Sequence, residues 1–141
     1  MKKFFFILSM LIPILNACAS EKAIIVSEKI LNNYKVYSLA RCISNNYIEM
    51  GVSFNKLPLK DYTTGFIDIE EGFAFSVNKG NTLDLFIRNK TGKFYQPKQK
   101  SGDLASVNLV IYDCVDFYKS KELQDFLIGL IQKSETNSDT P

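Results

Sequence analysis

A chain of 141 residues with 46% hydrophobic and 23% charged side chains is sized for one domain with a packed core, not two. Its 17 basic residues exceed its 15 acidic ones only through Lys2 and Lys3, which sit in a targeting segment, so no basic surface for nucleic acid is implied. Histidine is absent, which removes Ser-His-Asp and Cys-His catalysis and most zinc sites; no metal or nucleotide motif is present, and no cofactor is expected.

Residues 1–19 read as an export signal: Lys2 and Lys3, then an apolar run from Phe4 to Leu15, then small residues at Ala17, Cys18, Ala19 and Ser20. The run falls short of the roughly 20 apolar residues of a permanent span. Two cleavage patterns overlap here. Leu15-Asn16-Ala17-Cys18 fits a lipobox, with Cys18 lipidated as the new N-terminus, and Ala19 after it would favour the outer membrane. Ala17-Cys18-Ala19 also fits ordinary signal peptidase. Either way the mature domain, residues 20–133 with a polar tail at 134–141, lies outside the cytoplasm. Cys18 then leaves the pool of thiols, and Cys42 and Cys114 remain in an oxidising compartment. A disulfide is the economical reading, closing a loop of roughly 70 residues worth on the order of 4 kcal/mol. Two separate buried thiols are the alternative.

The mature chain predicts four to five helices and no strands. The first begins at Ser27; Ile30, Leu31, Tyr34 and Tyr37 lead into Leu39, Cys42, Ile43 and Tyr47 on one apolar face. Residues 51–60 hold Gly51, Ser53, Asn55 and Pro58 and read as a connection. A second helix is expected over 60–76, with Tyr62, Phe66, Ile69 and Phe73 inward. Gly65 and Gly72 each weaken it by about 1 kcal/mol. Asp68, Glu70 and Glu71 form an acidic cluster on it: a solvated face, or, in an enzyme, paired carboxylates of a hydrolase using Asp68 and Glu71.

Residues 78–81, Asn-Lys-Gly-Asn, read as a turn, followed by a third helix over 82–89 with Leu83, Phe86 and Ile87 inside and an end at Thr91-Gly92. Residues 96–102 form an irregular, basic, exposed stretch, either a plain linker or a contact loop. Asp103 is placed as the cap of the next helix, whose inner face is Val107, Val110, Ile111, Cys114, Phe117 and Tyr118, with Asn108, Asp113, Asp116 and Lys119 opposite. Ser120 breaks the pattern as an N-cap, and Leu123, Phe126, Leu127, Leu130 and Ile131 carry the last stripe. The expected fold is thus a compact all-α bundle with one inter-helix disulfide.

Two blocks carry a resemblance. One is Tyr37-Ser38-Leu39-Ala40-Arg41-Cys42-Ile43 in the early helix. The other is Asp113-Cys114-Val115-Asp116-Phe117-Tyr118-Lys119-Ser120-Lys121-Glu122-Leu123 in the late pair, with a weak Gly-containing helix and a Lys-Ser-Gly-Asp-Leu loop between them. Together they resemble the immunity proteins for type VI secretion amidase effectors of the fourth class. Where a typical member has lysine before the second cysteine, this chain has Asp113. The resemblance implies a small helical periplasmic protein, dimeric, with the two cysteine helices joined. Its partner would be a papain-like cysteine amidase that cuts peptidoglycan stems, inhibited by a loop and helix surface that fill its groove. The residues expected at that contact are Tyr95, Gln96, Lys98 and Lys100, joined by Asp68 and Glu71 from a second subunit. A structural or assembly lipoprotein of the envelope, or an inhibitor of another periplasmic hydrolase, fits the same exported, non-catalytic chain.

Overall fold

The computed structural model describes residues 26–52, 54–58, 61–72 and 77–136. The export signal, Cys18 and Phe73 lie outside them. Five α-helices follow in order: α1 (Glu28–Glu49), α2 (Thr63–Glu70), α3 (Val77–Thr91), α4 (Val110–Lys119) and α5 (Lys121–Thr136), with a short 3-10 turn at Phe54–Lys56. Among the described residues there is no strand, and no helix is long and apolar enough to cross a membrane.

The longest helix is the axis of the bundle. α1 packs against each of the other four, and α4 also packs on α5. Its inward residues Tyr34, Tyr37 and Cys42 meet Leu83 and Ile87 of α3, Val110, Cys114 and Phe117 of α4, and Leu123, Leu127 and Ile131 of α5 in one buried cluster. Phe86 stacks on Phe126 with ring centroids 3.8 Å apart, tying α3 to α5. Cys42 and Cys114 are joined, with their Cα atoms 5.8 Å apart and both side chains fully buried. The bond therefore staples the middle of α1 to the middle of α4.

Ser120 punctuates the last helix pair as expected. Its hydroxyl donates to the carbonyl of Phe117 at 2.7 Å and accepts the amide of Leu123 at 3.1 Å, so it closes α4 and caps α5. The stripe Leu123, Leu127 and Ile131 is buried, with Phe126 and Leu130 packed beside it.

Four expectations need correction. The stretch 78–81 is not a turn, because α3 runs unbroken through it. The cost of a helical Gly or Asn, at most about 1 kcal/mol each, is outweighed by the anchoring of Leu83 and Ile87 on α1. The second helix is only Thr63–Glu70, and Gly72 ends it in the left-handed region at φ 68°. Ile67 is its one buried residue, while Tyr62, Phe66 and Ile69 point out.

Asp103 caps nothing: α4 starts seven residues later in the sequence, at Val110, whose amide Asn108 accepts at 3.3 Å. The inner face of α4 is also turned, by roughly 60° at 100° per residue. Val110, Asp113, Cys114 and Phe117 are buried, whereas Val107 and Ile111 are exposed. The turn is possible because the carboxylate it buries is met by a cation, Lys98.

Candidate interaction face

Between α3 and α4 the chain runs from 92 to 109 without a helix. Irregular connections longer than about 15 residues are uncommon in compact domains and usually carry function. This one is fixed at three points. Asn46, fully buried on α1, donates its amide to the carbonyls of Cys42 and Thr91, both at 2.9 Å, and its side-chain oxygen accepts the Tyr95 amide at 2.9 Å. Phe94 and Tyr95 pack against the core. Lys98 reaches the Asp113 carboxylate at 2.5 Å. A buried asparagine with its donors and acceptor engaged is a rigid post. Nothing in its position beside Tyr47 on the α1 stripe distinguishes it in the sequence.

Beyond Lys98 the segment is largely exposed, with Asn108 donating to the Met50 Sδ at 3.3 Å. Lys100 and Asp103 are exposed, and so are five large apolar side chains in a row of short sequence: Leu104, Val107, Leu109, Ile111 and Tyr112. Ile111 and Tyr112 leave 56% and 64% of their surface open, Tyr112 on the side of α4 away from Cys114 and Ile111 at the edge of the buried face. An isolated exposed leucine needs no explanation, but five exposed apolar residues within nine positions of a tethered loop make it a candidate contact surface.

The expected contact residues divide into two groups. Tyr95, Gln96, Lys98 and Lys100 lie on the loop itself: Tyr95 is half-buried as its anchor, Gln96 and Lys98 line the Asp113 side of α4, and Lys100 is exposed. Gln96 donates to the Tyr95 hydroxyl at 3.4 Å. Asp68 and Glu71 are elsewhere. Glu71 accepts from Asn33 near the start of α1 at 2.7 Å, while the loop is held at Asn46 near its end. Those two asparagines are about 20 Å apart along the helix. One copy of the chain therefore does not bring the two groups together.

A polar seam crosses the α1–α3 contact. The Arg41 guanidinium grips Asp84 with two bonds, Nε to Oδ1 at 3.0 Å and Nη2 to Oδ2 at 2.6 Å, and the Tyr37 hydroxyl donates to Asp84 at 3.4 Å. Burial pushes the Tyr37 phenol up to about 12, and the Asp84 charge adds to it. Burial likewise pushes Tyr34 up to about 12, with Glu71 adding to it. Burial opposes the charge on Arg41, but the bonds and charge of Asp84 outweigh it and hold the guanidinium protonated. These groups lock helices together; they present no nucleophile. Among the described residues no three acidic or cysteine side chains are grouped to hold a metal ion. Comparison with protein-family models, curated proteins and solved structures returned no match to this chain.

Proposed function

We propose that the protein is a periplasmic immunity protein that binds a type VI secreted peptidoglycan amidase and occludes its active-site groove. The observation that carries this reading is the exposed apolar row from Leu104 to Tyr112 beside the basic loop at 96–102. A groove-blocking inhibitor needs a protruding segment whose ordering cost is already met, and here Asn46, the aromatic pair and the disulfide-fixed α4 hold both ends. Tyrosine is a favoured hot-spot residue, which suits Tyr112 and Tyr95 as anchors. Lys98 and Lys100 would steer the approach to an acidic groove.

Export and attachment through Cys18 belong to the same proposal, as does a homodimer. Tyr62, Phe66 and Ile69 recur on one exposed face at α2, the helix that carries Asp68 and ends at Glu71, and a second copy on that face would carry the acidic pair towards the partner. The test is survival. A papain-like amidase is exported to the periplasm of a host bacterium with and without this protein. The expected result is lysis alone and survival with it. Replacing Ile111 and Tyr112 together by serine is expected to abolish protection while leaving the helical spectrum unchanged. Lysis despite abundant, folded protein across candidate amidases would overturn the reading.

A further inference from the structure

A groove of about 550 Å³ opens between the Lys93–Lys98 segment and the facing sides of α4 and α5, with Lys90 of α3 on its rim paired to Glu122. Asp113 lines it, with only 8% of its side chain exposed. One carboxylate oxygen is taken by Lys98; the other is buried and has no hydrogen-bond partner. A buried carboxylate oxygen left without a donor is costly, and such groups are rare in folded proteins without a purpose. Asp116 stands on the same wall, exposed and without an ion-pair partner among the described residues. Phe94 and Phe117 supply an aromatic lining.

We propose that this groove receives an arginine side chain of the partner protein, which takes the place of Lys98 on Asp113. This rests on the binding role proposed above for the identity of the partner, and on the groove alone for its chemistry. A guanidinium is planar and offers two parallel N–H donors, enough to satisfy both oxygens of Asp113 where the single ammonium of Lys98 leaves one bare. Its face can lie on Phe94 or Phe117, and its residual charge is met by Asp116. Lys98 yields readily: 56% of its side chain is in solvent, and it sits on the loop rather than on a helix. Lys98 is then a cover for the site, kept closed in the free protein so that the Asp113 charge is never buried alone. A metal ion is a poorer occupant, since no third acidic or cysteine ligand is grouped with the pair among the described residues.

The test uses the whole mature protein and three peptides, acetyl-Ala-Arg-Ala-amide and its Gln and Glu counterparts, titrated while backbone amide shifts are recorded. Saturable shifts at Phe94, Lys98, Asp113 and Asp116 are expected with the arginine peptide alone. Asp113→Asn is expected to weaken that binding on the order of tenfold, and Asp116→Asn, at an exposed position, by about threefold. Lys98→Met removes the competing cation and is expected to tighten binding by about threefold. Equal response to the Gln peptide, no saturable shift, or weaker binding by Lys98→Met overturns the proposal. Protection against an amidase is measured separately. Peptide binding without protection leaves the groove standing and removes the immunity role; protection without peptide binding does the reverse.

Discussion

α4 and α2 look alike as sequence and behave oppositely in the fold. Each has large apolar residues at three- and four-residue steps. α4 turns Val110, Cys114 and Phe117 into the core and is stapled there. α2 buries Ile67 and leaves Phe66 and Ile69 with 58% and 61% of their surface open. Periodicity reveals that a helix has an apolar face; it does not say whether the face is covered by the same chain or by another one. The buried side of the molecule should therefore answer to stability measurements, and the open sides to binding measurements.

The largest effect belongs to the staple. Replacing both Cys42 and Cys114 by serine is expected to cost about 4 kcal/mol, as loop closure over the 72-residue separation implies. Denaturant unfolding of the oxidised protein and the double variant measures it. A loss below about 1 kcal/mol would mean that α1 and α4 hold together without the bond, and would erase the contrast with α2.

Next comes Asn46. Its alanine variant leaves the Tyr95 amide without its partner and takes one of two donors from the Thr91 carbonyl, which keeps the Phe94 amide at 3.0 Å. A loss of about 2 kcal/mol is expected, on the scale of one unsatisfied buried donor. Hydrogen exchange should show the 92–100 segment loosened before the helices. Uniform loosening would mean that the loop is not separately held.

The staple and Asn46 also mark how far the sequence can be read. The helical class, the disulfide, the Ser120 cap and the α1 and α5 stripes were legible, because each rests on local spacing or on cysteine number. Asn46 was not, since a polar residue inside an apolar stripe gives no sign of which distant carbonyls it will meet. The rotation of α4 was not either. It depends on Lys98 arriving from a loop to pair with Asp113, and no periodicity encodes that meeting. The turn expected at 78–81 failed for a related reason: local propensities of under 1 kcal/mol per residue yield to packing of the helix that follows. Of the expected contact residues, Tyr95 to Lys100 are neighbours by sequence alone, while the separation of Glu71 from that loop is set by which end of α1 each one meets.

Alkali should separate the buried face from the open ones with a smaller effect. Tyr34 and Tyr37 titrate near 10 in an unfolded chain and near 12 in the folded one, because burial disfavours the phenolate. Between those values the folded state holds protons that the unfolded state has released. The stabilisation is complete below pH 10 and is lost as the pH rises to about 12. The melting temperature is expected to be level up to pH 10 and to fall beyond it. Tyr37→Phe removes one ionising group and should make the fall shallower; an unchanged slope would locate the alkaline sensitivity elsewhere.

The smallest effect on stability is expected where apolar residues are most exposed, and it is the sharpest test of the contrast. Phe66→Ser and Ile69→Ser together remove much of the apolar surface of α2, yet both side chains are more than half open, while buried Ile67 and the Asn33 bonds to Glu70 and Glu71 hold the helix. Substitutions away from a packed core typically change stability by no more than about 0.5 kcal/mol. Unfolding of the double variant at a concentration too low for self-association should match the parent within that margin. The same variant at high concentration is expected to sediment as a monomer where the parent sediments as a dimer, because a second copy is what the face is proposed to meet. A large loss of stability in dilute solution would show that Phe66 and Ile69 belong to the core after all. Equal stability with an unchanged sedimentation profile would move the self-association surface off α2, and with it the route by which Asp68 and Glu71 were proposed to reach the partner.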